Sequence, residues 1–421
     1  MRLRRARLSL VLLVVAPALA GQRATPIPPR PKLYTNADTN DAHAYYLYGV
    51  QELVSNPEGA KEGFYWASQI DPTSAEALYA MQTASLMALS SSTLYDYYDY
   101  AAKKRKPEFV ALDSLLFRAY AINPFLYRSL DRSLIRHLIQ ADMKAEHPNV
   151  NGATLNLAIL EYEQQRRHAA AWESYAEGHF PEALDTYAKQ LKDMERTKTR
   201  RNNRDHEDDA CEIHAERARI FYILGNFDSS LTEMAAAIAG LHERDAKETV
   251  ILYESKAMYD QSLGMIHEKT QHMDLAREAY ARALEEDLSY FTAHTKMAML
   301  QLAQGDTTSA LTELDLAVQL QPSDPVLRYT YAMALIQSRR DADAVKQLLK
   351  SIALDPFYAA PRLLLARIAD AEQYTDDAVR EYGEYVALAP KSDPQLAAVR
   401  SRVSTLQARV ASSSTPATST P

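Results

Sequence analysis

Between residues 257 and 390 the apolar positions keep a helical spacing that is interrupted at regular intervals. Leu311, Leu314 and Val318 fall on one face of a helix predicted over 307–320, and a second helix is predicted over 290–303. Gln304-Gly305-Asp306 separates the two, because glycine accepts the left-handed backbone that closes a helix. A proline then marks the end of the second helix, since it disfavours helical backbone at the residue before it. The same phrase closes three successive segments, Leu320-Gln321-Pro322, Leu354-Asp355-Pro356 and Leu388-Ala389-Pro390, with the prolines 34 residues apart.

Small side chains keep the same period. One series runs Ala276, Ala310, Ala344, Ala378, and another Gly264, Ala298, Ala332, Ala366. A third begins with Ala283 and Ala317 and drifts to Ser351 and Tyr385. Antiparallel helices roughly 8–10 Å apart need small residues where their backbones cross, and Ala298 and Ala310 are placed for that role. A single pair cannot bury both of its faces, so pairs must stack on one another.

This pattern resembles the tetratricopeptide repeat, a 34-residue helix–turn–helix unit, through Leu263-Gly264, Ala276 with Tyr280, Ala283 and the spaced prolines. Ala60 with Phe64, Ala67 and Ile70-Asp71-Pro72 repeat it near the start of the chain. Glu177-Gly178-His179-Phe180 with Ala183 and Tyr187, and Leu224-Gly225-Asn226-Phe227 with Ala218 and Ala237, mark two more units. The resemblance implies an all-α fold, a right-handed superhelical solenoid of stacked antiparallel helix pairs. Four regular units are expected over 257–390 and a capping helix over 391–410. Divergent repeats are expected over 41–256, with units near 41–74, 164–197 and 211–244. From Pro72 to Pro124 the spacing is 18 residues too long, and the surplus holds Tyr95-Asp96-Tyr97-Tyr98-Asp99-Tyr100. A 12-residue surplus near Gly240–Thr249 enlarges a later unit.

The two ends read differently. Residues 1–20 have a secretory signal's layout: Arg2, Arg4, Arg5 and Arg7, an apolar stretch from Leu8 to Ala16, then Ala18-Leu19-Ala20. That stretch is well short of the ~20 residues that span a bilayer, so cleavage and export to the periplasm or the extracellular space are expected. Residues 21–40 are a proline-rich linker, expected to act as a semi-extended spacer, and 411–421 are a Ser/Thr/Pro tail expected to be disordered.

Composition narrows the chemistry. A formal charge of −8 argues against a general nucleic-acid binder, which needs clustered Lys and Arg. The 11 glycines compare with about 30 in an average chain of this length, in keeping with a helical protein. A single cysteine rules out an internal disulfide framework. His267 and His272 are five apart, not the four that would put two zinc ligands on one helix face. Cys211 and His214 lie in the acidic stretch 205–214, which suits a solvated helix start better than a metal site. With no phosphate-cradling glycine loop and no nucleophile motif, no catalytic residue, cofactor or metal is expected.

The resemblance implies that the first helix of each unit lines a concave face. The residue after the small site then faces the groove: Met265, Met299, Met333 and Arg367, with Trp172 and Arg219 in earlier units. Tyr175, Tyr222 and Tyr329 should share that side. Family members that grip a C-terminal carboxylate do so with lysine and asparagine, whereas the matching sites here hold Gln261, Thr295 and Tyr329, and Met265, Met299 and Met333. The expected function is a non-catalytic protein-interaction scaffold outside the cytoplasm. It would take a peptide or helical segment of a protein partner in an apolar and aromatic groove, in an envelope assembly or secretion complex. The alternative is a glycan-binding module stacking sugars on Trp172 and the tyrosines.

Overall fold

The structure is a computed structural model, and it describes residues 27–34, 36–90, 93, 97, 107–146, 151–152, 154, 171–197, 203–247 and 256–413. The signal at 1–20, the end of the tail at 414–421 and all of the Tyr95–Tyr100 cluster but Tyr97 lie outside the described residues. Among the described residues there are eighteen helices and no strand.

The chain opens with α1 (Ala42–Glu52) and α2 (Pro57–Ile70), then α3 (Ala75–Met87) and α4 (Pro107–Ile122). Next come α5 (Asp131–Glu146), the short α6 (Ala171–Ala176) with α7 (Phe180–Thr197), and the long pair α8 (Asn203–Ile223) and α9 (Phe227–Lys247). The four regular pairs are α10 (Ala257–Lys269) with α11 (Met273–Glu286), α12 (Phe291–Ala303) with α13 (Thr307–Leu320), α14 (Pro325–Gln337) with α15 (Asp341–Leu354), and α16 (Ala359–Ala371) with α17 (Thr375–Leu388). A last helix, α18 (Leu396–Ser413), covers the end of the stack. Each helix of the regular region packs on the ones before and after it, which makes a helical solenoid.

Local chemistry sets the boundaries. Asp306 accepts a hydrogen bond from the Ser309 amide (3.1 Å) at the start of α13, and Asp324 accepts from Val326 and Leu327 at the start of α14, where Pro325 occupies the first turn. The turn inside each regular pair needs one residue with left-handed backbone. Gly305 supplies it at φ 83°, while Gln271, Arg339 and Gln373 adopt it at φ 63°, 57° and 62° in the same register.

The small-residue series lie where helices cross. Ala276, Ala283, Ala298, Ala310, Ala317, Ala332, Ala344, Ala366 and Ala378 are all fully buried. At Gly264 even a methyl group would not fit, because an added Cβ would lie 2.4 Å from the Tyr280 ring. The drift of the third series has a local reason at each step. Ser351 is buried and its hydroxyl donates to the Pro325 carbonyl (2.7 Å). Tyr385 faces the cap rather than another repeat, and its hydroxyl donates to Asp393 (2.7 Å). On the cap, Leu396, Val399 and Leu406 are buried against the last pair, and Arg402 makes two hydrogen bonds to Asp370.

The enlarged later unit is a pair of long helices: α9 continues past the repeat's usual end to Lys247. Cys211 is buried with its Sγ against Gly240, where an added Cβ would lie 2.6 Å away, and His214 pairs with Glu233 across the pair (2.7 Å). Among the described residues no three His, Cys, Asp or Glu side chains converge as metal ligands, and no helix is long and apolar enough to cross a membrane.

The proline-rich segment does not stand off as a spacer where it is described. Trp66 on α2 donates its indole N–H to the Pro28 and Pro29 carbonyls (3.1 and 3.2 Å), which pins this segment against the first pair. The Arg30 guanidinium lies 4.4 Å above the Trp66 ring and 5.2 Å above Phe357, and Trp66 meets Phe357 edge-on at 4.8 Å. Nearby, Asn40 donates to the Ala387 carbonyl (2.6 Å) and Asp38 accepts from the Lys391 amide (2.5 Å). The first pair is thereby clasped to the last two, and the solenoid closes on itself.

Asp355 sits in this clasp, buried, accepting from the Phe357 amide (3.0 Å), and burial pushes its carboxyl up to about 6 from 3.8. The folded protein therefore holds this proton more tightly than the unfolded chain. The stabilisation it gives is complete below about pH 4 and is lost as pH rises through about 6. Asp355→Asn keeps the acceptor and removes the titration. The variant should gain stability relative to the parent at pH 7.5 and lose that advantage at pH 4.5, as read from paired urea midpoints.

Candidate functional site

The first helices of the regular pairs face the N-terminal part of the chain. A cavity of about 180 Å³ lies between them, walled by Gln261 of α10, Phe291 and Thr295 of α12 and Val326 of α14 on one side, and by Ile122 of α4 and Pro72 on the other. The face expected to be concave is thus an inner face, and the chain's own segments cover part of it.

That cover divides the expected binding residues into two groups. Tyr175, Tyr222 and Met265 are packed against the segment that joins α4 to α5. Phe125 stacks on Tyr222 with centroids 3.8 Å apart and planes 9° from parallel, and it is buried among Ala218, Met234, Ile266 and the half-buried Met265. Tyr175, 1% exposed, donates its hydroxyl to the Leu126 carbonyl (3.2 Å). Gln261 is fully buried and donates to the Ala121 carbonyl (3.4 Å). The surface made by Tyr175, Tyr222 and Met265 is filled by the chain itself.

Arg219 belongs to the same covered half. It donates to the Pro124 carbonyl (3.3 Å), lies over the Tyr120 ring at 5.4 Å and pairs with Glu216. Burial pushes the Glu216 carboxyl up, but Arg219 and Arg128 outweigh it and hold the group below its usual range. Arg128 in turn pairs with Asp131 (3.3 Å), which accepts a hydrogen bond from the Tyr79 hydroxyl (2.7 Å). This partly buried ionic network ties α3, the α4–α5 segment and α8 together.

The second group is open. Met299 on α12 is 44% exposed and Met333 on α14 is 38% exposed. Tyr329, one turn before Met333 on the same helix face, is half-buried with its ring 5.6 Å from Tyr358, and burial raises its hydroxyl's pKa. Arg367 on α16 is exposed and donates to Gln395 at the cap. Trp172 is 37% exposed on α6.

Sequence reasoning missed Phe125, whose role depends on a fold-back of the chain that no local pattern announces. It also missed a polar pair that recurs between the two helices of a unit: His214–Glu233, His294–Glu313, Arg328–Gln347 and Arg362–Glu381. Each pair is separated by 19 residues, a spacing visible in the sequence once the register is known.

The tetratricopeptide repeat family model matches residues 261–290, which run from α10 to the turn before α12. Residues 261–290 thus form a tetratricopeptide repeat, and the buried small-residue series carries the same 34-residue period through the regular pairs. No curated protein matches the sequence. Among solved structures, the C-terminal part of a TPR repeat-containing protein from Cytophaga hutchinsonii is similar, at 17% identity over 52% of this chain and 77% of that one, with a TM-score of 0.40. Pseudomonas aeruginosa PilF is similar at 17% identity over 49% of this chain and 87% of its own, with a TM-score of 0.40. YrrB, described as a TPR protein with an unusual peptide-binding site, is similar at 15% identity over 52% of this chain and 99% of its own, with a TM-score of 0.38. The repeat assignment rests on that match and the 34-residue period, and not on these distant likenesses.

Proposed function

We propose that this protein is a non-catalytic interaction scaffold that acts outside the cytoplasm and holds an apolar, aromatic-bearing segment of a protein partner along Met299 and Met333. Tyr329 and Arg367 flank that strip. The observation that carries the reading is the chain's own use of the equivalent surface. At Tyr222 and Met265 the same inner register is occupied by Phe125, while Gln261 binds the Ala121 carbonyl at the end of α4 and Arg219 the Pro124 carbonyl just beyond it. One and two helix pairs further on, the register-equivalent Met299 and Met333 stand open. Methionine is flexible and polarisable, so this strip suits an apolar segment without demanding one fixed shape. Export follows from the signal pattern at residues 1–20, and an envelope or secretion assembly is the setting such a scaffold would serve.

The test is affinity capture with the full chain and with a Met299→Glu/Met333→Glu double variant. Both sites are exposed, so the variant should keep the parent's circular dichroism and thermal midpoint while its protein partner is lost from the captured fraction. Equal capture by the two chains would refute the assignment of the strip.

A further inference from the structure

The cavity between α4 and the regular pairs does not include Met299 or Met333, and its chemistry differs from theirs. Its polar groups are already satisfied from within. The Thr295 and Thr330 hydroxyls donate to the carbonyls of Phe291 and Val326 one turn earlier (both 2.9 Å), which leaves their methyl groups as the surface they can offer a ligand. Thr292 donates to Gln261, whose amide nitrogen is engaged by the Ala121 carbonyl. With Ile122, Phe291, Val326, Leu327, Pro72 and Pro325, this makes an apolar chamber of about 180 Å³. For scale, an apolar cavity of roughly 150 Å³ takes up benzene.

Three charged residues reach the chamber. Lys296 is paired with Glu268 (3.2 Å), and the Asp324 carboxylate is engaged by the Val326 and Leu327 amides at the start of α14 (2.8 and 2.9 Å). Arg118, projecting from α4, is exposed and has no ion-pair partner among the described residues. A chamber the size of one aromatic ring, with one uncommitted guanidinium beside it, is complementary to a compact apolar body bearing a single negative charge.

We infer that this chamber is a binding site for a small amphipathic carboxylate, its apolar body seated among Ile122, Val326 and Phe291 and its carboxylate directed to Arg118. The inference goes beyond the scaffold reading and does not depend on it.

The full chain, methyl-labelled on Ile, Leu and Val, is titrated with phenylacetate and with the neutral benzyl alcohol while its NMR spectrum is followed. Saturable shifts at Ile122, Val326 and Leu327 are expected with both probes, with phenylacetate the tighter. Arg118→Gln should weaken phenylacetate roughly two- to fivefold, the range for an exposed charge pair, and leave benzyl alcohol unchanged. Val326→Trp should fill the chamber and abolish both responses; should it fail to fold, the shifts in the parent chain still decide the matter. The absence of saturable shifts at these methyls with both probes, or phenylacetate binding that survives in a folded Val326→Trp chain, would overturn the site. Equal affinity for the two probes would overturn the carboxylate assignment. The Met299→Glu/Met333→Glu chain should bind phenylacetate as the parent does, which separates a failure of this site from a failure of the partner strip.

Discussion

Replacing Ala310 by tryptophan should lower the thermal midpoint by several degrees or unfold the local repeats outright. Ala310 is fully buried on α13 in a cluster with Ala298, Leu314 and Ala332, which brings three successive helices into one contact region. An indole there can be accommodated only by moving whole helices, and overpacking of this kind costs about 1–3 kcal/mol or more. Because each repeat leans on its neighbours, the loss spreads along the stack rather than staying at one site. Thr308→Trp, two residues earlier on the same helix and exposed, is the matched control. It should stay within about 0.5 kcal/mol of the parent. Urea melts of the three chains make the comparison, and a midpoint for Ala310→Trp equal to that of Thr308→Trp would mean that the helix crossing is misplaced.

The second large effect is expected at Arg219. Arg219→Ala leaves the partly buried Glu216 without its nearest cation and removes the donor to the Pro124 carbonyl. Deleting one partner of a fully buried pair costs about 3–5 kcal/mol, and Glu216 keeps 26% of its side chain exposed, so the loss should fall toward the lower end of that range. Arg219→Met combined with Glu216→Gln removes both charges and keeps most of the packing volume. The double variant should therefore recover most of the stability that the single variant loses. The closed cycle of parent, Arg219→Met, Glu216→Gln and the double variant, compared by denaturant midpoint, gives the coupling directly. If the double variant were as unstable as Arg219→Ala, the damage would lie in the lost backbone contact rather than in the stranded carboxylate.

Much of the regular half was legible because its physics is local. A fixed interval between Ala298, Ala332 and Ala366, and between Pro322, Pro356 and Pro390, follows from identical helix crossings and can be counted in the sequence. Helix ends were legible for the same reason, since Gly305 and Asp306 mark a turn wherever they stand in the fold. The inner face was harder. Register alone placed Met265, Met299 and Met333 on the same side, but it could not say that Phe125, 140 residues before Met265, would seat itself on the first of them. The clasp was hidden for a similar reason. Arg30, Trp66 and Phe357 belong to three distant stretches with no shared motif, and they meet because the solenoid turns far enough to bring its ends together. A proline-rich run reads as a spacer when nothing in its neighbourhood offers a partner, and here the partners are the indole N–H of Trp66 and its ring.

The central claim is that the inner face is filled at one end by the chain itself and open at the other. Methionine methyl NMR with a soluble paramagnetic agent tests it most directly. In the full chain, the Met299 and Met333 methyl signals should broaden strongly, while Met234 and Met297, at 4% and 8% exposure, should be protected and Met265 should fall between. Protected signals at Met299 and Met333, or a fully accessible Met265, would contradict the account.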